Sequence, residues 1–174
     1  EAALAADPDF IGMPEWNEFN ENTCVCPTLT RGLATQRLIR HYMRQLHGEP
    51  PAPEPDDDPS VPNLIVSYRR ILKLGERLDI EVLRLPDGTR SAPCEAVFSL
   101  AGADGRILKT WDGLRFDEAG LQEHRLSIAT ETIGGETMLM PRLTVKGADG
   151  TWQDEGRLVP IRLQTSWNWD YLCV

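Results

Sequence analysis

"NLIVSYR" (residues 63–69) and "RLDIEVLRL" (77–85) decide how the larger part of the chain is read. In the first run Leu64, Val66 and Tyr68 alternate with other residues, and in the second Leu78, Ile80 and Val82 do the same. A period of two places one set of side chains on one face of a strand, so both runs predict half-buried β-strands. Turn chemistry recurs beyond them: "PDG" at 86–88, "GADG" at 102–105, "GG" at 134–135 and a second "GADG" at 147–150. Between these turns stand the apolar runs "EAVFSL", "RILKTW", "HRLSIA", "TMLMPRLTV" and "RLVPIRL". Strands at this spacing, with Gly and Asp supplying tight turns, predict about seven or eight strands in all. The two "GADG" turns are common hairpin chemistry and do not signal a repeat.

The fold class that follows is mainly β: an antiparallel β-sandwich of immunoglobulin-like size over residues 63–174. Ahead of it, "GEPPAPEPDDDPSVP" (48–62) is dominated by Pro and Asp, has almost nothing to bury, and reads as an extended linker. Residues 1–47 have a different pattern. An apolar run at 9–13 predicts a buried strand closed by Pro14, which cannot continue a central ladder. A polar loop follows, and then Leu33, Leu38, Ile39, Tyr42, Met43 and Leu46 recur at helical spacing over 32–46. Thr28 or Thr30 is the expected cap and Gly48 the expected stop, while Arg37, Arg40, His41 and Arg44 fall largely on other faces. This is one strand-loop-helix unit. Such a unit cannot bury its strand alone, because a parallel strand needs neighbours on each side and helices over them.

The loop of that unit carries the chemistry. "PEWNEFNENT" (14–23) sets Glu15, Glu18 and Glu21 three apart among two aromatic rings and three asparagines. In β/α barrels, catalytic groups occupy the C-terminal ends of strands and the loops after them, which is where this stretch falls. Residues three apart in a helical turn hold their Cβ atoms about 5–6 Å apart. Retaining glycosidases commonly hold their two carboxyls about 5–5.5 Å apart. Two acids so close couple, so that one stays protonated and can donate to a leaving oxygen. The competing reading is a solvated acidic loop or helix-capping carboxylates, and Glu15 fits that description best.

"WNEFNENTCVCPTLTRG" (16–32) resembles the segment that ends the barrel of glycoside hydrolase family 99 and its WbsX-like relatives, where a pattern close to W-N-E-W-x-E-G-T-x-x-E-P precedes a Gly and a helix. Trp16, Asn17, Glu18, Phe19, Glu21, Thr23 and Pro27 match; Asn22 stands in place of the usual Gly, and Cys26 where an acid often precedes the Pro. The resemblance covers roughly the first fifth of the chain. It implies a retaining α-glycoside hydrolase, with Glu18 engaging the sugar 2-hydroxyl as base in a neighbouring-group mechanism and Glu21 as general acid/base. Trp16 and Phe19 would then offer faces for sugar stacking, and Asn17 would orient a carboxylate or bind a hydroxyl. The expected partners are a glycan substrate and the remainder of the barrel. A complete barrel takes about 250 residues, so residues 1–47 supply only its last unit and the chain by itself is expected to be inactive. The rival from another class is a noncatalytic carbohydrate-binding or protein-interaction β-sandwich module, with the late rings of "SWNWDY" (166–171) as a sugar platform or as core packing.

Other partners are disfavoured. A formal net charge of -9 opposes binding to nucleic acid or an anionic membrane surface, both of which need basic protein. No apolar run approaches the roughly 20 residues that span a bilayer. The cysteines, Cys24, Cys26, Cys94 and Cys173, form neither a disulfide framework nor a paired zinc motif, and read as buried free thiols. His41, His47 and His124 read as surface or packing residues, so no cofactor and no metal site are expected.

Overall fold

Strand-forming sequence accounts for most of the order. The computed structural model describes residues 5–6, 12, 16, 25–28, 32–53, 63–86, 92–117, 120–148, 150–154 and 157–165. The chain divides into two compact units, with Glu1–Pro51 in the first and Ala52–Asn168 making up the second. In the second unit the described residues form nine strands: β1 (Leu64–Tyr68), β2 (Ile71–Lys73), β3 (Arg77–Arg84), β4 (Cys94–Gly102), β5 (Ile107–Phe116), β6 (Gln122–Ala129), β7 (Met138–Gly147), β8 (Gly150–Gln153) and β9 (Ile161–Gln164). A single 3-10 turn, Thr130–Ile133, separates β6 from β7.

These strands make two sheets, ordered β1-β3-β6 and β2-β9-β7-β4-β5, with β8 added to β7. The chain is therefore mainly β with antiparallel sheets, as the alternation predicts. One pairing departs from that rule, because β2 lies parallel to β9, with Ile71 opposite Arg162 and Lys73 opposite Gln164. The expected count of seven or eight is also exceeded. β2 has three residues and β8 four, too few for a period of two to stand out.

One apolar core lies between the sheets. Leu78, Ile80 and Val82 of β3 are fully buried, as are Phe98 and Leu100 of β4, Phe116 of β5, Leu139 of β7 and Ile161 of β9. All belong to a single cluster drawn from both sheets. Each such side chain contributes roughly 1.5–3 kcal/mol by leaving water. Leu64, Val66 and Tyr68 lean on the same cluster, and Ile65, on the opposite face of β1, is buried as well.

Arg84 ends the inward row of β3 although it is charged, and it is only 5% exposed. Its guanidinium donates to the Phe116 and Ala92 carbonyl oxygens, each at 2.8 Å. A buried charge persists only with such partners.

Two turn predictions hold in detail. The first "GADG" closes β4 onto β5, with the Gly102 N–H donating to the Arg106 carbonyl at 2.9 Å. The second joins β7 to β8, where Gly147 pairs with Gly150.

In the first unit, helix α1 runs Ala34–His47 and stops at Gly48, whose φ of 65° is left-handed. There the Gly48 N–H donates to Gln45 and the Glu49 N–H to Arg44. Of the two expected caps, Thr28 does not hold the cap position, and Thr30 lies outside the described residues. Leu33 holds the cap position without a side-chain hydrogen bond. The Gly32 N–H donates to the Thr28 carbonyl at 2.7 Å, and this tight turn sets the helix start beyond the reach of Thr28. The strand expected at 9–13 lies outside the described residues apart from Gly12, as does most of the linker beyond residue 53.

Candidate functional site

The acidic loop is bracketed by hydrogen bonds. The Trp16 carbonyl oxygen accepts from the Val25 N–H at 3.1 Å and from the Cys26 N–H at 2.8 Å. The chain that leaves Trp16 therefore returns to it at Val25. Glu18 and Glu21, with Asn17 and Phe19, belong to the intervening segment and lie outside the described residues. Among the residues assigned from sequence, the structure thus places Trp16, whose side chain is 58% exposed.

Helix α1 supports the returning end of this loop. Gln36 donates its Nε2 hydrogen to the Val25 carbonyl at 2.5 Å. Gln36, Ile39 and Arg40 stand at i, i+3 and i+4, so they share one helix face. Together with Trp16 and Val25 they line an open groove of about 220 Å³. Arg40, expected on another face from the apolar stripe, shares the groove with Ile39. Gln36 is a site residue that sequence reading misses. Its only sequence signal is the helical spacing it shares with Ile39 and Arg40. Its Oε1 is buried and has no hydrogen-bond partner among the described residues.

His41 and His124 pack against aromatic neighbours. Burial lowers the His41 pKa, and its ring meets Tyr42 edge-on at 5.1 Å. His124 Nε2 lies 2.8 Å from the Arg115 carbonyl oxygen. A carbonyl only accepts, so that nitrogen carries the hydrogen. The His124 ring also packs edge-on against Phe116 at 4.8 Å. Cys26 and Cys94 are half-buried, and desolvation pushes the Cys94 thiol up.

Among the described residues no group of three or more His, Cys, Asp or Glu side chains is placed to hold a metal ion. No helix among them is long and apolar enough to cross a membrane. Trp167 and Trp169 lie outside the described residues.

No known protein-family model matches the chain, and a search of characterised proteins finds no match.

Proposed function

We propose that residues 1–47 carry the acid pair of a retaining α-glycoside hydrolase, working within a β/α barrel completed by further polypeptide, while the chain by itself is inactive. Glu18 serves as base toward the sugar 2-hydroxyl and Glu21 as general acid/base. The observation that carries this reading is the double hydrogen bond on the Trp16 carbonyl. It fixes both ends of the acid-bearing segment at one place, beside a groove. Catalytic carboxyls must be held in position, and an anchor of this kind would serve that need. The uncovered apolar residues of α1 and its cap agree with a unit that packs against further polypeptide: Leu33 is 50% exposed, Met43 44% and Leu46 55%.

The second unit we read as an immunoglobulin-like accessory domain. Its split into a β1-β3-β6 sheet and a sheet built around β9-β7-β4 supports this reading, since the chain passes repeatedly from one sheet to the other, as it does in Greek-key sandwiches.

The test is substitution in a protein that includes the whole barrel. Glu18→Gln and Glu21→Gln should each reduce cleavage of an aryl α-glycoside by about 100-fold or more. Normal activity in both variants removes these residues from the mechanism. The sandwich order also suits a noncatalytic carbohydrate-binding or protein-interaction module. Saturable glycan binding by residues 63–174, lost on replacing Trp167 or Trp169, would favour that alternative.

A further inference from the structure

We infer that the outer face of the β2-β9-β7-β4-β5 sheet is a docking surface for a short acidic polypeptide segment that also carries apolar side chains. The inference does not depend on the acid pair of the first unit.

Side-chain alternation fixes what this face presents. In β2, Leu72 is buried in the core, so Ile71 and Lys73 lie on the outer side. In β9, Ile161 and Leu163 are buried and Arg162 stands exposed between them. In β7, burial of Leu139 and Leu143 turns Met138, Met140 and Arg142 outward. The register then brings these residues together. Ile71 is opposite Arg162 and Arg162 opposite Met138, so the three form one row across three strands. Neighbouring strands are about 4.8 Å apart, which makes the row about 10 Å wide. Met140 and Arg142 continue the face along β7.

Apolar and cationic side chains interleave here. Ile71 is 43% exposed and Met138 40%, with Arg162 between them, while Lys73 follows on β2 and Arg142 on β7. In a chain of net charge -9, the side chains of Lys73, Arg142 and Arg162 have no ion-pair partner among the described residues. Carboxylates around the sheet are engaged elsewhere. Glu136 meets Arg106 at 3.2 Å, Glu95 meets Arg115 at 3.6 Å, and Glu76 accepts from the Lys73 backbone N–H at 2.8 Å.

The occupant must supply both halves of this pattern. Carboxylates match the guanidinium forks, and apolar side chains cover Ile71 and the two methionines, whose flexible thioethers adapt to varied partners. None of the outward residues of β2, β7 and β9 is aromatic, so the face offers no ring for stacking on a base or for insertion at a lipid interface. The overall negative charge opposes an extended polyanion or an anionic membrane. A short peptide responds instead to the cations beside it, because salt screens charges beyond about 8 Å at physiological ionic strength.

The experiment is a two-dimensional ¹⁵N–¹H NMR titration of the 174-residue chain. The probe is the acetylated, amidated decapeptide Asp-Glu-Leu-Asp-Glu-Ile-Asp-Glu-Leu-Asp, and the control peptide has lysine at every acidic position. The acidic peptide should produce saturable shifts at the Ile71, Met138, Met140, Arg142 and Arg162 amides, with a dissociation constant below about 1 mM. Replacing Arg142→Gln and Arg162→Gln together should weaken binding by about tenfold, and Met138→Ser by about threefold. Arg77→Gln should leave it unaltered, since Arg77 lies on the other sheet and already meets Asp79 at 2.8 Å.

Absence of saturable shifts with the acidic peptide overturns the inference, as do equal shifts with the lysine peptide. So does unweakened binding in the double arginine variant with its thermal midpoint unchanged. If that variant unfolds, Met138→Ser decides, since an exposed side chain can be shortened without disturbing the core. Phosphatidylserine vesicles and a 20-nucleotide oligothymidylate serve as rival probes at the same concentration of negative charge. Tighter association with either than with the acidic peptide assigns the face to a membrane or to nucleic acid and overturns the peptide reading.

Discussion

Thr130 holds together two parts of the β-rich unit that are far apart in sequence. Its fully buried hydroxyl accepts from the Gly75 N–H and donates to the Glu76 carbonyl, both at 2.8 Å. The turn before β3 is thereby tied to the 3-10 turn after β6. Thr130→Val keeps the shape but leaves the Gly75 N–H without its acceptor. It should destabilise by about 1–3 kcal/mol, read as a lower urea midpoint with an unchanged slope. Tyr68 does similar work, donating its hydroxyl hydrogen to the Val159 carbonyl at 2.7 Å. Burial is the main cause that pushes the Tyr68 phenol up to about 12, from an ordinary value of 10.0. The folded state therefore holds this proton more tightly than the unfolded chain does. Its contribution is complete below about pH 10 and is lost as pH rises to about 12. Alkaline denaturation of Tyr68→Phe should lack the part of the pH dependence that falls within that window.

At the level of elements, local rules explain the breaks in regularity. Gly48 ends α1 in a left-handed conformation that disfavours a side chain. Gly48→Ala should cost about 1–2 kcal/mol locally and speed amide hydrogen exchange in the last turn of the helix. Gly113, with φ of 65°, falls in β5 where the register with β4 shifts, so β5 absorbs an extra residue there. Pro141 lies inside β7, where a missing N–H should break a ladder. Its position resolves the conflict. On that side β9 is registered only against Met138 and Leu139, and β8 only from Thr144 to Gly147, so Pro141 falls in the gap between them. Core packing is less forgiving. Phe98→Ala in β4 should cost about 3–5 kcal/mol, a large share of the roughly 5–15 kcal/mol that stabilises a domain.

For the whole molecule, the described residues of the apolar cluster all belong to the second unit. A chain of residues 52–168 should therefore unfold cooperatively, with a thermal midpoint within a few degrees of the full chain. A molten state, with near-ultraviolet circular dichroism lost, would show that the first unit is needed for packing. In the first unit, none of the described residues of α1 is buried.

Alternation at Leu78, Ile80 and Val82, turn glycines and the helical spacing of Leu38, Ile39 and Tyr42 made the strands, the hairpins and α1 legible before any coordinates. These are signals a chain carries within a few residues, because side-chain periodicity follows directly from backbone geometry. Nonlocal contacts were not legible. The parallel register of β2 on β9, the burial of Arg84 under two carbonyls and the inward place of Gln36 each depend on a partner distant in sequence. The acid motif was readable as a pattern, and Trp16, Val25 and Cys26 show how its ends meet. That closure required tertiary structure, since a hydrogen bond from Val25 to Trp16 forms only when the intervening chain turns back on itself.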